Sequence, residues 1–244
     1  MEAVPDLSGM SRDAAVSVLR KSISRITNAA PEATDGAAGR VSEMFTDGRR
    51  LPVPEELSDV LGGTLLRGAV TELDRPGLLM SAIIAAITAE GGHVAVIGLS
   101  EFLPATVVER GGDLSRLFLV PDPGENPLEI IGTAADGVDL VVAACNRDTS
   151  PSLARPVAAR LRRASAALVS VGGAWPGAVG KLSSTLVEVH GLGHGNGRIR
   201  DVDLQVRAVV QSRSGAPERS ARWRVGTENA SVVETPAVRM RAVR

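Results

Sequence analysis

Apolar residues follow three different rhythms along this chain. Near the N-terminus Val16, Leu19, Ile23 and Ile26 recur at helical spacing. Ser11 is placed to cap such a helix, with Asp13 in its first turn, so residues 11–29 read as an amphipathic helix. Its apolar stripe is flanked by Arg12, Arg20, Lys21 and Arg25. Residues 30–40 are rich in Ala, Gly, Pro and Asp and have no period, which marks a linker.

The second rhythm begins near residue 57, where short continuous apolar runs alternate with helical stretches. Strands are expected at 69–73, 93–98, 117–120, 138–144 and 167–171. Helices are expected at 78–89, 102–110, 127–135 and 152–164. Strands apolar on both faces, each followed by a helix, predict a mainly parallel central sheet covered on both sides. After Gly180 the third rhythm sets in: residues 185–190 and 201–210 alternate apolar and polar side chains. Val202, Leu204, Val206 and Ala208 share one face, and a Gly-rich turn separates the two runs. Arg222-Trp223-Arg224-Val225 reads as a third such strand, so antiparallel strands should extend the sheet at its C-terminal end. The expected organisation is an N-terminal helix and linker (1–50), an α/β core (51–226) and a C-terminal tail (227–244).

Composition narrows the functional classes. A formal charge of −1 argues against a globally basic nucleic-acid binder. With two Trp, three Phe and no Tyr, the chain cannot build an extensive base-stacking platform. Lys21 and Lys181 are the sole lysines, and this Arg bias in an Ala-, Val- and Gly-rich chain reflects coding composition as much as guanidinium chemistry. A single cysteine, Cys145, excludes an internal disulfide framework and a Cys-based zinc site. No basic region precedes an apolar run at the N-terminus, and the longest apolar run, Leu78 to Ala89, is too short to span a bilayer. A cytoplasmic protein without membrane contact is the expectation.

The stretch from Leu73 to Ser81 has the strand–turn–helix outline of a phosphate-binding loop without its chemistry. Such a loop needs glycines whose N–H groups wrap phosphate, a lysine for the β/γ oxygens and a hydroxyl for magnesium. Here Asp74, Arg75, Pro76 and Gly77 are followed by apolar residues, and Ser81 is the sole nearby hydroxyl. The acid that orders magnesium water should end a buried strand, but Val138–Ala144 ends in alanine, at Ala144. Asp139 stands at the other end and reads as a strand-entry residue. Two parts of one machine are missing together, so no bound cofactor, no metal and no catalytic residue are expected. Cys145 has no histidine placed beside it by sequence and reads as an inert buried thiol. His190 and His194 sit in Gly-rich sequence, which gives no basis for a metal site.

Two Arg groups remain as contact surfaces for DNA phosphates or an acidic partner. Arg155, Arg160, Arg162 and Arg163 lie on one helix, where an ordinary solvated face is the simpler reading. From Arg198 onward there are ten Arg against five acidic residues, among them Arg222, Arg224, Arg239 and Arg241.

In this order the pieces resemble the RecA-type recombinase core. Leu57-Ser58-Asp59-Val60-Leu61-Gly62-Gly63-Thr64-Leu65-Leu66-Arg67-Gly68 looks like the lead-in that precedes that family's first strand and phosphate loop. Gly91 to Ile97, Leu114 to Val120 and Val138 to Val142 are similar in style to later strands. The acid that would activate water falls near Ser100, with Glu101 as a register-shifted substitute. Only thirteen residues separate Val171 from Thr185, which leaves little room for recombinase DNA-binding loops. Among short, degenerate RecA-like proteins with Arg-rich tails, the chain most resembles the actinobacterial branch of the ImuA family. That resemblance implies a non-catalytic accessory protein of DNA-damage-induced mutagenesis and translesion synthesis within the SOS response. Its partners would be an ImuB-type Y-family polymerase homologue and, indirectly, an error-prone C-family polymerase, with DNA a weaker expectation. The N-terminal stripe (Val16, Leu19, Ile23, Ile26) and the C-terminal Arg residues are then the candidate contacts. Two other readings stay open: a RecA-like ATPase with a nonstandard loop around Arg75, Ser81 and Glu101, and a SulA-like cell-division inhibitor.

Overall fold

A computed structural model describes residues 50–244 apart from 63, 146, 193–196, 211–215, 227–229 and 242–244. The expected N-terminal helix therefore lies outside the described residues, as do Val16, Leu19, Ile23 and Ile26. The chain enters through a bridge between Arg50 and Leu66, a 3-10 turn at Glu55–Leu57 and the short helix α1 (Ser58–Leu61). There follow β1 (Val70–Leu73), α2 (Leu78–Ala89), β2 (Val94–Ile97), α3 (Ala105–Val108) and β3 (Leu117–Val120). Next come α4 (Pro127–Ala135), β4 (Leu140–Ala144), α5 (Pro151–Ala164) and β5 (Ala167–Val171). The chain ends in β6 (Gly180–Leu192), β7 (Gly197–Val210), β8 (Ala216–Gly226) and β9 (Ala230–Arg241).

Among the described residues the nine strands form one sheet in the order β3-β2-β4-β5-β1-β6-β7-β8-β9. Neighbours from β3 to β6 pair in parallel, and from β6 to β9 they pair antiparallel. The expected class, a mainly parallel sheet with flanking helices and antiparallel C-terminal strands, is the one observed. β2 and β5 are buried along their whole length, the condition under which a strand carries no polar face. α2 packs one face of the sheet, and α4 and α5 pack the other. Because α2 is enclosed on nearly every side, from Leu79 and Ile83 to Met80 and Ile84, it is apolar all round rather than striped.

Three expectations shift. The helix expected over 102–110 shrinks to the single turn α3, since Pro104 disfavours helical geometry at Leu103 and the Gly111-Gly112 pair ends it. β6 starts at Gly180, five residues before the expected strand, because Gly180–Leu182 pair in parallel with Thr71–Leu73 before the strand turns to β7. Residues Ala230–Arg241, expected to be tail, form β9 along β8. That segment has no regular apolar–polar alternation, so its pairing with β8 is what defines it.

Asp139 lies just before β4 and acts as a strand-entry clamp: its Oδ2 accepts the His93 backbone N–H at 2.8 Å, and its Oδ1 stands 2.7 Å from Arg67 Nη2. No helix among the described residues is long and apolar enough to cross a membrane.

Candidate functional site

The carboxyl ends of β1, β2, β4 and β5 open on one side of the sheet, the place where ligands of open α/β sheets bind. A cavity of about 630 Å³ occupies that position. Its walls bring together Pro76, Gly77 and Ser81 after β1, Ser100 and Glu101 after β2, and Ala144 at the end of β4. Positions from three segments of the chain, the outermost 68 residues apart and singled out because they depart from nucleotide chemistry, thus share one cavity.

Each departure has a local physical account. Ser81 is buried, and its hydroxyl is already engaged: it stands 3.4 Å from the Gly77 carbonyl and 2.8 Å from Thr106 Oγ1, which donates to it. Asp74 is fixed by its backbone N–H to the Leu182 carbonyl (3.1 Å), and its carboxylate pairs with its neighbour Arg75 at 3.4 Å. The other oxygen, Asp74 Oδ1, has no hydrogen-bond partner among the described residues. Arg75 does not line the cavity, so the cation that would meet a phosphate is spent on an adjacent acid. Gly77 caps α2 with φ 153°, a backbone state that other residues rarely adopt. No side chain caps that helix.

The rest of the lining was not legible in sequence. Leu78, Met80, Leu99, Phe102 and Leu103 form an apolar wall, and Leu103 is 66% exposed at its rim. Glu101 is an exposed acid on the same rim and makes no ion pair among the described residues. The cavity thus offers apolar surface and one free negative charge. Cys145, one residue beyond Ala144, is buried, and burial pushes its thiol upward, away from the reactive thiolate.

The two Arg groups separate by environment. Arg160 and Arg163 both reach Asp136 at the end of α4, where they tie α4 to α5 and hold that carboxyl below its usual range. Arg155 and Arg162 are exposed without an acidic partner among the described residues. Arg222 and Arg224 converge on Asp203, which is fully buried in the face of β7 that looks away from α1. The Arg224 guanidinium, aided by His190 and Arg222, keeps the Asp203 carboxyl well below the usual carboxylate range. Glu188 accepts from Arg222, and His190 Nε2 lies 3.2 Å from Asp203. Glu188, His190 and Asp203 are close enough to share a metal ion, yet two guanidinium groups already supply the countercharge. These arginines tie strands together through Asp203, with the Arg224 side chain still 38% exposed. Arg239 and Arg241 lie on β9, with their side chains outside the described residues. Arg222 and Arg224 were expected as contacts for a partner or DNA, and the register that joins them to Asp203 and Glu188 is tertiary.

Residues 59–177 match the family described as the MT3502 N-terminal domain, just under half of the chain. The matched stretch ends before β6, so the antiparallel extension lies outside it. The chain is 36% identical over 118 residues to the uncharacterized protein Rv3395c of Mycobacterium tuberculosis, a match covering 48% of this chain and 58% of that protein. Among solved structures it is similar to a KaiC-like protein from the hyperthermophilic archaeon Pyrococcus horikoshii OT3. That similarity has 12% identity and a TM-score of 0.49 and covers 76% of this chain and 99% of the other.

Proposed function

We propose that this chain is a non-catalytic, RecA-like adaptor of DNA-damage-induced mutagenesis that works through protein contacts with an ImuB-type polymerase homologue. The observation that carries the reading is the cavity at the strand ends. It holds no lysine or arginine, its hydroxyl Ser81 is bonded internally, and its β4 position is Ala144. A polyphosphate there would be desolvated next to Glu101 with no lysine or arginine in the lining to compensate, which is strongly unfavourable. An arrangement that keeps the parallel frame and discards the phosphate chemistry suits a scaffold. The mutagenesis assignment rests on the ImuA resemblance and on the ordered lead-in and strand motifs that carry it.

One observation favours a second reading. Gly77, Ser81 and Glu101 do share the cavity, as a nucleotide enzyme with a nonstandard loop requires. Two measurements separate the readings. Titration calorimetry with ATP and Mg²⁺ should give no binding at millimolar nucleotide, and co-expression with the ImuB-type protein should give a complex that survives Arg75→Ala. Submillimolar nucleotide binding with turnover would replace the adaptor by the enzyme. Binding to the tubulin-like division protein instead of the polymerase homologue would favour the SulA-like reading.

A further inference from the structure

The cavity is roomy, apolar on its longest wall and edged by an acid, so what it would accept is neither phosphate nor a small polar metabolite. We infer that it is the docking site of the chain's own N-terminal stretch, residues 11–29, seated in cis. Three observations converge on that occupant.

The first is chemical fit. Leu78, Leu99, Phe102 and Leu103 present apolar surface, and Leu103 is held two-thirds exposed at the rim. A stripe of Val16, Leu19, Ile23 and Ile26 supplies matching aliphatic side chains, in the manner of an amphipathic segment laid into a groove. The second is charge. Glu101 is exposed at the rim and makes no ion pair among the described residues. The stripe is flanked by Arg12, Arg20, Lys21 and Arg25 with Asp13 as the sole acid in that stretch. A guanidinium on the rim would satisfy the carboxylate left bare at Glu101.

The third is reach. The described chain begins at Arg50, and Leu51 packs in the same core layer as α2, whose first turn borders the cavity. Residues 30–49 lie between the stripe and that entry point. Fully extended, they span roughly 65 Å, more than a domain of this size requires. A tether of this length gives an effective concentration on the order of millimolar, which favours the cis arrangement over capture of a second copy at ordinary protein concentrations.

The inference stands apart from the mutagenesis reading, since it needs only the purified full-length chain. A Cys145→Ala background removes the natural thiol. Leu19→Cys is then combined with Leu103→Cys on the rim, or with Glu90→Cys at the far, exposed end of α2 as control. Under mild oxidation at low protein concentration, the 19–103 pair should form an intramolecular disulfide about tenfold faster than the 19–90 pair. Adding Glu101→Lys to the 19–103 protein should slow the reaction severalfold at low salt and have less effect at high salt. Equal rates for the two pairs, or a 19–103 bond found solely between two chains, would overturn cis docking. An unchanged rate with Glu101→Lys would remove the electrostatic part of the argument, and with it the reason for choosing this occupant. Loss of complex with the polymerase homologue in these variants, by contrast, bears on the proposed function alone.

Discussion

At the scale of single residues, the most consequential side chain is Asp203. A carboxylate with no solvent exposure is costly unless charged donors surround it, and Arg222, Arg224 and His190 do so. Its folded-state ionisation lies below the ordinary aspartate value. The resulting stability is therefore fully present above about pH 4, the unfolded value, and is lost as pH falls through the lower folded one. Thermal melts carried from pH 7 down to about pH 1 should show this. Asp203→Asn should lower Tm by several degrees at pH 7, more than Glu188→Gln does, and should flatten the acid end of the profile. A variant with the wild-type acid slope would mean that another carboxylate controls it. Asp203 was visible in sequence as one acid in an alternating run. Its burial was not, because the donors that permit it come from a strand nineteen and twenty-one residues later.

At the scale of elements, legibility followed the source of stability. α2, α4 and α5 came within a residue of their expected bounds, since each is long enough for its own residues to show the apolar surface it buries. α3 did not, because a proline and two glycines left it a single turn. β9 was missed because a polar edge strand gains its definition from pairing, here with β8 across residues 216–225, and not from its own pattern. Deleting residues 227–244 should uncover the β8 edge, lower Tm and produce concentration-dependent association in light scattering. A deletion variant that stays monomeric with unchanged Tm would return this segment to the role of tail.

At the scale of the whole molecule, one layer of core joins parts that the sequence keeps far apart. Leu51, Leu57 and Leu61 from the lead-in, Leu79 and Ile83 from α2, and Leu204, Val206 and Trp223 from the antiparallel extension share a continuous cluster. Trp223 is fully buried within it, with the Arg110 guanidinium 5.2 Å from its ring. The extension is thus part of the same core as the parallel sheet. Trp223→Ala should cost about 3–5 kcal/mol and do so in one cooperative transition, with near- and far-ultraviolet circular dichroism coinciding in denaturant. Separate transitions would make the extension an independent unit.

The sequence by itself determined the layered α/β architecture, since continuous apolar strands alternating with helices leave few other ways to bury them. It also determined that the junction after β1 lacks phosphate chemistry, because chemistry is a property of residue types. Only the tertiary structure decided that the separate deficits meet in one cavity. It also decided that the cavity wall is apolar, and that Arg222 and Arg224 pair with Asp203 across neighbouring strands. Those facts depend on strand order and register, which are set by packing among residues distant in the chain and leave no local trace.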